Sequence, residues 1–195
     1  VNARLGAVLA VLCTAACAAA CGANEARSET GPGASQAAGG EVAGATPAGE
    51  LLPNGVAVEE GLLAGGQPTP EQLVALAGAG YVTVIDLRTE AEGGTGRADV
   101  EASGMTYVTL PIAGAAGLTE ENARRLALLL EEVERPLVLH CGSGNRVGAL
   151  LALKVFYADG ATPEEALRYG LDAGLTGLEG AVREHLEVAS RASRP

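Results

Sequence analysis

Beyond residue 50, short continuous apolar runs alternate with apolar positions spaced three or four apart, which predicts strands alternating with helices. Val56-Ala57-Val58 and Leu62-Leu63-Ala64 flank Glu59-Glu60-Gly61 and read as a small hairpin. Thr69-Pro70-Glu71-Gln72 supplies an N-cap, an N1 proline and the N3 partner of a capping box, and Gly80 ends that helix. Tyr81 to Leu87 is β-branched and apolar through its middle, as in a strand buried on both faces. Gly93 to Gly96 marks a loop, and Met105 to Leu110 reads as a strand ended by Pro111. Thr119 caps a helix over 120–134 with its stripe at Leu126, Leu129, Leu130 and Val133. Leu137 to His140 is a third core strand and 147–158 a helix. Thr162-Pro163-Glu164-Glu165 and Thr176-x-x-Glu179 are capping boxes opening two shorter helices. The pattern predicts an α/β domain over 51–195, three-layered, with a central, mostly parallel sheet.

The first fifty residues follow a different pattern. Residues 5–24 carry no charge and follow Arg4; Leu5 to Leu12 is a short apolar run, and small residues succeed it. That is the build of a secretory signal. Small residues ahead of Cys17 and Cys21 favour a lipoprotein signal over 1–21, with Cys21 as the expected lipidation site. Lipidation at Cys17 and simple cleavage stay open. The expectation is an exported protein, periplasmic or in the bacterial cell envelope, touching membrane only through an N-terminal lipid anchor. Residues 22–50, built from Gly, Ala, Ser, Thr and Pro, read as a flexible linker.

Composition narrows the function. Hydrophobic residues at 48% exclude disorder throughout, while aromatics at 3% leave few rings on which bases could stack. A net charge of −11 opposes a polyphosphate backbone, so no nucleic-acid partner is expected. Cys13, Cys17 and Cys21 crowd the N-terminal segment and Cys141 stands alone, which argues against a disulfide framework.

The chemistry gathers at one turn, Leu137 to Leu150 (LVLHCGSGNRVGAL): strand, cysteine, glycine-rich turn, arginine, helix. A helix N-terminus leaves unpaired N–H groups and positive dipole, which bind an anion. Gly142 and Gly144 let the backbone curl, so that several N–H groups converge on one point. Arg146 closes the ring with a planar fork suited to a tetrahedral oxyanion. Cys141 at its floor would be held as a nucleophilic thiolate. A buried structural cysteine and a dinucleotide fingerprint are the competing readings. No acid follows at the interval a dinucleotide site needs. His140 beside Cys141 lacks further metal ligands, His185 reads as surface, and no metal or other cofactor is expected.

This strand–Cys–loop–Arg–helix run resembles the cysteine-dependent tyrosine and dual-specificity phosphatases. GGQPTPEQLVALAGAGYVTVIDLR, LHCGSGNRVGALLAL and EEALRYGLDAGL are similar to the phosphatase-like domain of beta-lactamase-hydrolase-like proteins. The resemblance implies a phosphatase-like fold, Cys141 as nucleophile, Arg146 as phosphate clamp, and the backbone of Gly142, Ser143, Gly144 and Asn145 as the remaining oxyanion donors to a phosphorylated substrate, which the scarcity of aromatic rings suggests is small. Three features depart from the superfamily pattern. Four residues, not five, separate Cys141 from Arg146; Val147 stands where Ser or Thr is usual; and Pro111 to Ala116 holds no acid to protonate the leaving group. Asp86, Glu120 and Glu121 are the candidate substitutes, Asp86 foremost, although Arg88 offers it a plain ion-pair partner. The short loop and missing acid keep two alternatives open. One is a rhodanese-like sulfurtransferase carrying a persulfide on Cys141 and taking a sulfur-donor substrate. The other is an anion-binding module without turnover.

Overall fold

The computed structural model describes residues 47–192, so the signal segment, Cys21 and all but the end of the linker lie outside the described residues. Among the described residues, no helix is long and apolar enough to cross a membrane. The hairpin forms as β1 (Val56–Glu59) and β2 (Leu62–Gly65), antiparallel. β2 then pairs in parallel with β5 (Leu137–His140), β5 with β3 (Thr83–Asp86), and β3 with β4 (Thr106–Thr109). The sheet is therefore five-stranded, ordered β1-β2-β5-β3-β4 and mostly parallel. Gly65, His140, Asp86 and Thr109 stand level in register, so the carboxyl ends of four strands share one edge. Ligands bind beyond that edge in open parallel sheets.

Alternating side chains of the buried strands cover two faces. Leu63, Val84 and Val138 meet Leu73 and Leu76 of α1 (Pro70–Gly78) and Val100 of α2 (Arg97–Ala102). Leu62, Ile85, Leu137 and Leu139 meet Leu126 and Leu130 of α3 (Glu120–Glu132) and Leu150 and Leu151 of α4 (Asn145–Tyr157). These are the three layers the alternation implies. α4 is apolar nearly all round because its outer side is covered too, by α5 (Pro163–Asp172) and α6 (Glu179–Ala192).

The capping boxes at Thr69 and Thr162 form as their sequences predict, and Thr119 caps α3. The box at Thr176 does not. Helix α6 starts at Glu179, whose carboxylate pairs with Arg183 at 2.7 Å, and the Thr176 N–H is donated to Asn145 Oδ1 instead. Helix α2 has no counterpart in the pattern, since Val100 is its one buried side chain and a single apolar position shows no period. Helix α4 begins at Asn145, two residues ahead of the expected start, because Gly144 enters the left-handed region at φ +91° and releases the chain into the helix at once.

At the α4–α5 crossing, a Cβ added to Gly148 would lie 2.2 Å from Leu175 N and 2.6 Å from Gly170 O. Backbone lines that space, so the contact has no flexible side chain to yield. Gly148→Ala is therefore expected to destabilise the domain by about 1–3 kcal/mol despite alanine's better helix propensity. An unchanged denaturant midpoint would contradict this packing.

Candidate active site

β5 delivers Cys141 to the carboxyl edge of the sheet, where it is 1% exposed and unpaired with another cysteine. The turn that follows folds back over it, and the Gly144 N–H donates to Cys141 Sγ at 3.2 Å. Two neighbouring segments hold the turn from the sheet side. Asn54 Nδ2 donates to Ser143 O at 3.2 Å, the Gln67 N–H donates to Gly142 O at 3.3 Å, and Gly66 bridges Ser143. Asn145, the first residue of α4, turns its side chain away from this cradle, and its Oδ1 accepts from Thr176 and Leu178 N–H groups.

Arg146 lies in the first turn of α4 and reaches back over the same edge. Its Nη1 donates to Ile112 O at 2.9 Å and to Glu92 Oε1 at 2.8 Å, and its Nη2 pairs with Glu92 Oε2. A Cβ added to Gly142 would stand 3.8 Å from Nη2, so the guanidinium sits against the turn as well. Glu92 is the residue the sequence reading missed. Its signal was present: Thr89-x-x-Glu92 is spelled like a capping box, and the Thr89 N–H and hydroxyl both donate to Glu92 Oε1. The hydrogen bond from Arg146 holds the Glu92 carboxyl down at about 2 despite some burial, so the pair stays ionised at every working pH.

Asp86 is 2% exposed and fully engaged. Its carboxylate accepts from Arg88 Nη2 at 2.7 Å, Nε at 3.0 Å and backbone N–H at 2.8 Å, and from Tyr107 Oη at 3.0 Å. Arg88 also donates to the carbonyls of Gly93 and Thr95, tying the Glu92 loop to β3. Burial alone would raise the Asp86 pKa, but the Arg88 hydrogen bonds and nearby charges outweigh it and keep the carboxyl below its ordinary range. An acid catalyst enters the reaction protonated, so this ionised carboxylate is not suited to that role. The carboxylate that the sequence offers as substitute acid is thus found engaged by Arg88 and Tyr107. His140 packs behind it, with Nε2 3.8 Å from Asp86 Oδ1, and burial lowers its pKa so that the imidazole is neutral. Glu120 pairs with Arg124 at 2.9 Å on the exposed face of α3. Among the described residues, no cluster of three or more His, Cys, Asp or Glu could hold a metal ion.

The turn thus places the Gly144 N–H on Cys141 Sγ with the Arg146 guanidinium against it, and residues 53–171 match the family described as DSP-PTPase phosphatase fused to NAD+ kinase. The chain belongs to this family. A beta-lactamase hydrolase-like protein of Xylella fastidiosa is 28% identical over 104 residues, half of this chain and 24% of the relative. The chain thus spans about a quarter of the length of the curated relatives it matches. A putative phosphatase from Neisseria meningitidis shares the fold at a TM-score of 0.58 and 23% identity, over 69% of this chain and 96% of that one. Tk-PTP in its active form shares it at 0.52 and 20% identity, over 70% and 97%.

Asp86→Asn leaves Arg88 buried without its counter-charge, and is expected to cost about 3–5 kcal/mol at neutral pH by denaturant unfolding. The lowered Asp86 pKa contributes stability above its ordinary value of 3.8, lost as pH falls through the native value. The wild-type advantage over Asp86→Asn should therefore shrink on acidification. An equal gap at neutral and acid pH would contradict the ionised strut.

Proposed function

We propose that the domain is a cysteine-dependent phosphatase that cleaves small phosphomonoesters through a phosphocysteine at Cys141. The observation that carries this reading is the Gly144 N–H on Cys141 Sγ, at the mouth of a helix whose second residue is Arg146. The phosphoryl group occupies the cradle, with N–H groups of 142–145 and the Arg146 guanidinium on its oxygens. The thiolate supplies the electron pair of the new S–P bond while the P–O bond to the leaving group breaks. Water then attacks phosphorus, the S–P pair returns to Cys141 as thiolate, and inorganic phosphate leaves. Glu92 and the Ile112 carbonyl orient Arg146, while Asp86, Arg88 and Tyr107 brace the Glu92 loop. Beside the same loop, Thr89, Thr95, Tyr107, Thr109 and Pro111 bound a cleft of about 260 Å³. Residues 1–21 support export as part of the same proposal, on their sequence alone.

The segment 111–117 brings Ile112 O to Arg146 and carries no carboxyl group. With no acid there, the departing oxygen takes its proton from water, and the general-acid contribution of about 10²–10⁴-fold is lost. Esters with acidic leaving groups, such as nitrophenyl phosphate, are expected to turn over at least about 10²-fold faster than alkyl phosphates. Equal rates would reveal an acid the account lacks. Cys141→Ser should abolish phosphate release, and release that survives the change would exclude the covalent route. The same missing acid favours the second reading, in which the Cys141 thiolate takes the outer sulfur of thiosulfate as a persulfide and sulfite leaves, so that sulfite release with no phosphate release would be decisive.

Glu92→Ala leaves the guanidinium held by carbonyls only. Vanadate affinity is expected to fall about tenfold, the size of one charge-assisted hydrogen bond, as read by calorimetry. Tighter binding would instead mean that Glu92 competes with the anion for Arg146.

A further inference from the structure

We propose that Asn145 is a positioning residue that couples the catalytic turn to helix α6, so that the C-terminal helix braces the cradle. The proposal rests on the reading of 141–146 as the functional turn. Helix α4 has no side-chain cap of its own, since Gly144 occupies the N-cap position. From the sheet side the turn is held at Gly142 and Ser143, and its helix side is left to Asn145. The Asn145 Oδ1 accepts from Thr176 N–H at 2.9 Å and from Leu178 N–H at 3.2 Å, residues 31 and 33 positions away. One side-chain oxygen therefore satisfies two backbone donors at the approach to α6, the first of which the Thr176-x-x-Glu179 spelling assigned to Glu179.

The segment receiving this grip is itself fixed. Leu175 N–H donates to Gly170 O at 2.9 Å, and Gly148 has no Cβ because Leu175 N occupies that space. Gly174, at φ +98°, lies behind the turn, its Cβ direction 3.7 Å from Gly144 O. Beyond it, Val182 and Leu186 of α6 pack in one cluster with Ala149, Ala152 and Leu153 of α4. Displacement of α6 must therefore pull on residue 145, next to the Gly144 N–H that meets the sulfur. The family match spans residues 53–171, so the 173–178 segment and α6 lie outside it.

Amide hydrogen exchange on the full chain tests this without requiring turnover. Asn145→Ala is expected to speed exchange of amides 142–146 and of 176 and 178 about tenfold, the effect of losing two ordinary hydrogen bonds, while β5 keeps its protection. Asn145→Asp retains an acceptor for both donors and should restore most of that protection. It should also raise the KM for nitrophenyl phosphate more than it lowers kcat, because the added charge repels the phosphate. Unchanged exchange at 142–146 in Asn145→Ala would overturn the coupling, as would an Asp variant that behaves like the Ala variant. A wild-type chain that releases no phosphate would defeat the phosphatase reading alone, and the exchange comparison would still decide the brace.

Discussion

Between Cys141 and Arg146 the chain has four residues in which to leave β5, pass through the left-handed region at Gly144 and begin α4. That turn is the constraint the surrounding structure answers. The first N–H groups of a helix have no partner within it, an unfavourable arrangement unless another group accepts from them. The Cys141 sulfur takes one of them. The backbone outside the curl is held from all sides: by Asn54 and Gln67 across β2, by the Glu92 loop through Arg146, and by the 176–178 segment through Asn145.

Two arginines divide the electrostatic work. Arg88 is buried and paired within its own strand end, where it fastens Asp86 below and two loop carbonyls above. Arg146 is partly exposed and holds a partly exposed carboxylate, so its grip is strong in direction and modest in energy. The first makes a rigid wall. The second keeps a guanidinium aimed at the cradle. Tyr107 reinforces the wall: burial, and then the charge of Asp86, push its pKa up to about 12, so it remains a donor throughout the working range.

Much of this was legible in the sequence, for identifiable reasons. Strands buried on both faces announce themselves as apolar runs, and β3 and β5 are such runs. The Thr-Pro boxes at 69 and 162 are local devices whose partners lie within one turn, so spelling alone suffices. The Cys141 turn carries its chemistry in one contiguous segment. What escaped depends on contacts between distant segments. Glu92 meets Arg146 across 54 residues, and Asn145 meets Thr176 across 31. The Thr176 box failed for the same reason: a distant side chain outcompeted the local one for the same N–H. Asp86 was located at the right strand end, but its protonation depended on three-dimensional partners.

The proposed phosphatase chemistry depends on Cys141 forming a bond to phosphorus. Its most direct test is rapid acid quench of the full chain during turnover of nitrophenyl phosphate, followed by mass spectrometry of the peptide containing Cys141. The expected result is one phosphoryl group on that cysteine, absent from Arg146→Ala, whose cradle lacks its clamp. Steady phosphate release with an unmodified Cys141, or a persulfide there after thiosulfate with no phosphoryl adduct from the ester, would contradict it.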